Sequence, residues 1–238
     1  MISEYIIKAR LAPTVLAAPP LLIFFNGVIN IQANQWLETE TMIMFFGKGT
    51  ATTAIVFLMM QVNRLIGLEI FQRFIFKDEN DFPTTRWLVA TNSEMSLQQR
   101  ESIDSKAHRD FGVGLLPRSL GDSTDVRRHN ADLVGRIRLF VGSPPKLLQY
   151  NIEYGFFRNL IGATLTVLIA SLANIYLYIK NLLPEWAFHL SIIYLIIVAA
   201  LLCLTPFIIK RLGIQYARVL FQTYLETHVS AMTKKDSR

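Results

Sequence analysis

The arginines between Asp78 and Gln149 are the residues of this chain best suited to chemistry, and the chemistry they suit is anion binding. Arg86 and Trp87 follow the turn-like run F-P-T-T, Arg109 stands at helical spacing from Lys106, and Arg118 follows Pro117. Arg127, Arg128, Arg136 and Arg138 gather on one predicted helix. A guanidinium is planar, stays charged and presents paired donors, so it grips a phosphate at two points where lysine offers one. An indole such as Trp87 can stack on a base of a single strand. Arg86, Trp87, Arg109, Arg118, Arg127, Arg128 and Arg136 are therefore the candidate ligand-binding residues. The competing reading pairs these arginines with Asp104, Asp110, Asp122, Asp125 and Asp132 in ordinary surface ion pairs.

No comparable set of residues points to catalysis. His108, His129 and His228 lie far apart and share no ligand spacing, and no G-x-S-x-G nucleophile elbow is present. G-K-G-T at 47–50 lacks the full phosphate-loop frame and falls in an apolar run. Cys203 is the single cysteine, so the chain can form no internal disulfide and no Cys/His zinc set. The expectation is a protein that is not an enzyme and needs no cofactor and no metal.

Composition says what must position the arginines. Hydrophobic residues make up 52% of the chain and charged residues 18%, against about 25% charged in soluble domains. The deficit is concentrated in four runs, Leu11–Ile31, Thr41–Val62, Leu160–Ile179 and Trp186–Ile209, each long enough as a helix to cross a hydrocarbon core. The first carries Pro13 and the pair Pro19-Pro20, which predicts a kink or a break. Its length, and the lack of a small-x-small site after Phe25, argue against a cleaved signal peptide. Ile31–Glu40 reads as a short loop, and the pattern after Val62 carries the second helix onward. The predicted fold is thus an α-helical polytopic membrane protein. Four transmembrane helices carry a mainly helical cytosolic domain inserted between spans 2 and 3.

Boundaries follow from the same pattern. Residues 1–77 hold spans 1 and 2 with a cytosolic extension of the second helix. Residues 78–149 form the inserted ligand-sensing domain. Residues 150–210 hold a junction and spans 3 and 4, and 211–238 form a cytosolic tail that starts amphipathic and then frays. Within the insert, Ser96–Asp110 and Asp125–Val141 read as helices, the second capped by Asp122, Ser123 or Thr124. Phe82–Ala90 reads as a short extended segment. Fourteen Lys or Arg residues lie between Asn63 and Asn159 and six more from Lys210 onward, whereas the two short connections hold only Lys180. The positive-inside rule then places the N-terminus, insert and C-terminus in the cytosol.

Two sets of residues within or beside the spans could act. Lys48, flanked by Gly47 and Gly49 and followed by Thr50, Thr52 and Thr53, is a candidate pore-facing group, because an ionisable residue at mid-span costs about 2.5–3.5 kcal/mol. The alternative is that Lys48 snorkels to the interface and the glycines and threonines serve helix packing. A shared pore would call for a homo-oligomer. Q-Y-N-I-E-Y-G-F-F-R-N-L at 149–160 joins the insert to span 3. Tyr154 and Arg158 are its candidate coupling residues, and Gly155 a point of bending.

This layout resembles small bacterial membrane effectors of antiphage defence, and among them the Hailong membrane effectors. The resemblance rests on F-P-T-T-R-W-L at 82–88, the arginine-bearing helix at 125–141 and N-I-E-Y-G-F-F-R-N-L at 151–160. It implies a tetrameric, channel-like protein of the bacterial inner membrane, held shut by single-stranded DNA oligomers made by a partner nucleotidyltransferase. The alternative function is a non-conducting membrane scaffold or sensor whose insert recruits a cytosolic protein.

Overall fold

The computed structural model describes the backbone of residues 4–36, 41–77, 79–89, 91 and 94–235, and the side chains of 4–28, 53–77, 80–89, 91 and 94–227. Among the described residues the chain is helical, with no strand. A turn at Glu4–Ile6 and a π-helical stretch at Ile7–Leu11 lead into α1, Ala12–Trp36. Helix α2, Thr41–Ile66, is prolonged by a π-helical stretch at Gly67–Gln72 and one further turn at Arg73–Phe76. Helices α3, Leu97–Phe111, and α4, Thr124–Val141, belong to the insert. Two long helices close the chain, α5, Pro145–Ile179, and α6, Glu185–Lys235. Four helices are long and apolar enough to cross a membrane, lying within Glu4–Val28, Thr53–Phe76, Pro145–Ile179 and Glu185–Thr227.

The chain divides into two compact units. The first takes Met1–Gln72 and Gly155–Ile208, the second Arg73–Tyr154 and Ile209–Arg238. The first unit inverts the distribution of a water-soluble domain. Large apolar side chains such as Leu16, Phe57, Ile169, Ile196 and Phe207 face outward, whereas Asn63, Asn159, Ser171, Asn174 and Ser191 are buried.

Those buried polar groups have specific work. Pro20 has no N–H to offer the carbonyl of Leu16, four residues back. The Tyr194 hydroxyl donates to that carbonyl at 3.0 Å. Pro13 likewise leaves Ala9 without its usual donor, and Asn159 Nδ2 donates to the Ala9 carbonyl at 2.6 Å. Asn174 Nδ2 reaches the carbonyl of Pro20 itself at 2.8 Å. Of the kink or break expected at Pro19-Pro20, the break is absent: α1 continues through both prolines, and the Leu16 carbonyl left by Pro20 is met from α6. The expected loop from Ile31 is also shorter, because α1 runs on to Trp36.

A second polar link joins α1, α2 and α5. Asn63 Nδ2 donates to Thr14 Oγ1 at 3.4 Å, and Thr166 Oγ1 donates to Asn63 Oδ1 at 3.3 Å. Glycine makes this approach possible. A Cβ on Gly162 would stand 2.0 Å from the Asn63 carbonyl oxygen, and one on Gly67 would stand 2.5 Å from that of Arg158. Gly155, expected to bend the chain, instead lies inside the unbroken α5. There a Cβ would meet the Tyr5 hydroxyl at 3.0 Å, so this glycine also serves packing.

The second unit packs around Leu88, Ile103, Leu133, Ile137 and, from α6, Leu220, Phe221 and Tyr224. Ser96 caps α3 by accepting from Gln99 N, and Ser123 caps α4 by accepting from Val126 N, satisfying N-terminal donors that a helix cannot pair internally. Phe82–Ala90, predicted as extended, contains a helical turn at Pro83–Arg86. Its reason is local: Phe82 is extended, and a proline at the first helical position comes pre-set for the turn. The tail starts as the amphipathic helix expected of it, with Ala217, Leu220, Phe221 and Tyr224 recurring at helical spacing and filling this core.

Gly162→Ala is expected to destabilise the protein in detergent by about 1–3 kcal/mol or more, as overpacking against backbone does. Gly135→Ala, in α4 with nothing within 4 Å of the added carbon, should instead gain about 0.5–1 kcal/mol. Thermal unfolding of the two variants checks both signs.

Candidate anion-binding cleft

One cleft of about 540 Å³ opens in the second unit. Its charged lining consists of Lys77, Arg86, Arg127 and Lys210, opposed by Asp81 and Glu94. Each basic group is held by a different element. Lys77 ends the extension of α2 in the left-handed backbone region, at φ 55°. Glycine is the usual residue where a helix stops in that way, and this chain has a lysine there. Arg86 closes the Pro83–Arg86 turn. Arg127 stands in the first turns of α4, and Lys210 follows the last residues of the apolar part of α6.

Arg127 is a clamp. Its Nη1 donates to Asp81 Oδ1 at 2.5 Å, while Nε and Nη2 donate to the two oxygens of Asp122 at 2.6 and 2.8 Å. The Arg127 hydrogen bond holds the Asp122 carboxyl below its ordinary range. Trp87 is only 4% exposed, belongs to the core, and donates its indole N–H to Glu94. That burial leaves little of the ring for the base stacking expected of Trp87. Both carboxylates of the cleft are thus engaged, Asp81 by Arg127 and Glu94 by Trp87. Lys77 and Lys210 have no ion-pair partner among the described residues.

The structure brings Arg86, Trp87 and Arg127 to this one cleft and leaves the other predicted ligand residues elsewhere. Arg109 is exposed on α3, 3.7 Å from Asp110. Arg118 opens a short turn at Arg118–Leu120 and lies 3.6 Å from Glu101. Arg128 and Arg136 are exposed on α4. Arg138 ties α4 to its surroundings, donating to Thr84 Oγ1 at 3.3 Å and lying over the Tyr216 ring at 5.5 Å. Sequence reading assigned no ligand role to Lys77 and Lys210. For Lys210 the signal was position, since it is the first basic residue beyond the apolar run that ends at Ile209; Lys77 comes after Arg64 and Arg73 and carried no such signal.

Lys106 is a second residue whose setting the sequence did not give. It is buried on α3, 3.9 Å from the equally buried Asp110 and 4.8 Å from the centre of the Tyr224 ring. The Tyr224 hydroxyl donates to Asp110 at 3.1 Å. Burial holds the Lys106 ammonium below its ordinary range despite the carboxylate. This cluster fastens α6 to α3.

Of the coupling residues, Tyr154 is buried with its ring edge-on to Phe82 at 5.5 Å, and Phe82 meets Phe76 at 5.1 Å. Arg158 is half-buried, and its carbonyl oxygen faces Gly67. Of the pore candidates, Thr53 is exposed on α2, while the side chains of Lys48, Thr50 and Thr52 lie outside the described residues. Comparison with known protein families, curated proteins and solved structures finds no match for this chain.

Arg127→Gln should lower the stability of the second unit by about 1–2 kcal/mol at neutral pH, as expected when charge-assisted bonds at a part-exposed site are lost. Because the Asp122 pKa is depressed on folding, its share is fully present above the unfolded carboxylate range. That share is lost as pH falls through the folded value. Unfolding measured from pH 7 to pH 3 should therefore show a shallower acid loss in the variant than in the parent.

Proposed function

We propose that this chain is a polytopic protein of the bacterial inner membrane, with four spans and with N-terminus, insert and C-terminus in the cytosol. It assembles as a homo-oligomer, a tetramer on the resemblance, and acts as a channel-like effector of antiphage defence. A nucleotide or single-stranded oligonucleotide, supplied by a partner nucleotidyltransferase, gates it from the cytosolic domain. The active protein dissipates the membrane potential and arrests the infected cell.

The observation that carries this reading is the inverted first unit, apolar outside and amide- and hydroxyl-lined inside, with helices that continue from it into the arginine-bearing second unit. An apolar exterior suits lipid, where buried polar groups must find partners within the protein. Helical continuity gives a bound ligand a mechanical path to the spans. Arg86, Arg109, Arg118, Arg128 and Arg136 are exposed and spread over several elements. That spread suits an extended polyanion better than a compact mononucleotide. Trp87 and Arg127 are withdrawn from the ligand set, because the core and two carboxylates already occupy them. Tyr154 is kept as a coupling residue, since its ring supports the Phe82 and Phe76 stack at the end of the α2 extension. Lys48, Thr50, Thr52 and Thr53 are kept as pore candidates, with Arg158 beside Tyr154.

A second reading, a non-conducting scaffold that recruits a cytosolic protein, draws on Leu139, which is 87% exposed at the end of α4 beside the exposed Phe140. Exposed apolar side chains in a polar unit are what a protein partner would cover.

Purified protein in liposomes should show ion flux that changes when a short single-stranded oligonucleotide is added. The double substitution R128E/R136E should weaken oligonucleotide binding about tenfold or more and flatten its salt dependence. Tyr154→Ala should keep binding and lose the flux response. Flux indifferent to every oligonucleotide and nucleotide tested would count against gating, and a strict monomer in detergent against a shared pore.

A further inference from the structure

Three features of the cleft fix the chemistry of its occupant. Among the described residues its charge is in surplus, because Lys77, Arg86, Arg127 and Lys210 face only Asp81 and Glu94, and Asp81 is already paired with Arg127. That calls for an anion. Among the described residues the aromatic rings that line the cleft, Phe76 and Trp87, are 8% and 4% exposed and offer little surface to a base. The remaining walls are apolar, with Ile75, Phe76 and Ile214 among them. A soluble nucleotide would thus find a phosphate contact and little for its base.

Position supplies the rest. Lys77 directly follows Phe76, where the stretch from Thr53 that could cross a membrane by length and composition ends, with Arg64, Glu69 and Arg73 inside it. Lys210 directly follows the apolar run that ends at Ile209. Lysines at the ends of such helices reach the headgroup layer, and basic pockets at that level bind lipid phosphates. We propose that this cleft holds the phosphate of an anionic phospholipid, gripped by Lys77 and Lys210 with Arg86 beside them, the lipid's glycerol region lying along Ile75, Phe76 and Ile214. The proposal rests on the membrane part of the function proposed above and not on gating by a nucleic acid.

The full chain in detergent is titrated with phosphatidylglycerol and, separately, phosphatidylcholine, and bound lipid is counted by native mass spectrometry. The parent should prefer phosphatidylglycerol, and Lys77→Gly and Lys210→Gln should each reduce that preference about fivefold. Lys77→Gly is the informative variant, because glycine is the favoured residue at this left-handed position, so the fold should be kept or strengthened. Unchanged preference in both variants would overturn the proposal. Inorganic phosphate binding as tightly as the lipid to delipidated protein would also overturn it, by assigning the cleft to a soluble anion. Oligonucleotide-responsive flux is followed on the same preparations. Its absence alongside an intact lipid preference would remove the gating reading and leave this one standing.

Discussion

A backbone carbonyl that loses its helical donor inside an apolar bundle must be met by a side chain, and the first helix of this chain depends on that exchange. Pro13 and Pro20 each withhold an N–H from the turn before them, and Asn159 and Tyr194 donate to the carbonyls so exposed. Unmet, such groups in hydrocarbon would cost several kcal/mol each. The prolines and the amides therefore form one arrangement. It fixes α1 against α5 and α6 at chosen heights, and the Thr14, Asn63 and Thr166 link adds α2. With those heights fixed, Gly67 and Gly162 must lie where backbones meet.

The second unit solves a different problem, which is to organise many charges around a small apolar core. Arg127 and Asp122 neutralise each other at the start of α4, and Asp81 draws the turn before Pro83 into the same clamp. Lys106, Asp110 and Tyr224 form a second polar cluster in the last turns of α3. Some arginines of this unit are thus structural, while others stay exposed. Composition cannot make that division, because the same guanidinium serves both. Geometry makes it: a guanidinium held by two carboxylates is engaged in structure, whereas Lys77 and Lys210, with no ion-pair partner among the described residues, add positive charge to the cleft.

Much of the plan was legible in the sequence. The four apolar runs, the helices near 96–110 and 125–141 and the onward course of the second helix all follow from hydrophobic periodicity and capping residues. These are signals local to a few turns. Where a neighbour supplied what the local signal lacked, the sequence reading erred. Pro19-Pro20 looked able to break the helix because the donor that meets the Leu16 carbonyl lies 178 residues away. Gly155 looked like a bend because its partner, Tyr5, is also remote in sequence.

The candidate site divides along the same line. By itself the sequence determined that the polar middle of this chain is rich in arginine and is bounded by apolar helices, because charge and hydropathy are properties of residues one at a time. Only the tertiary structure decided which of those charges are already used. It buried Trp87 in the core, tied Arg127 to Asp81 and Asp122, and gathered Lys77 and Lys210 from positions 133 residues apart in the numbering onto one cleft. Ion pairing and burial depend on distances between remote segments, and those distances are set by the packing of α6 against the insert rather than by any spacing along the chain.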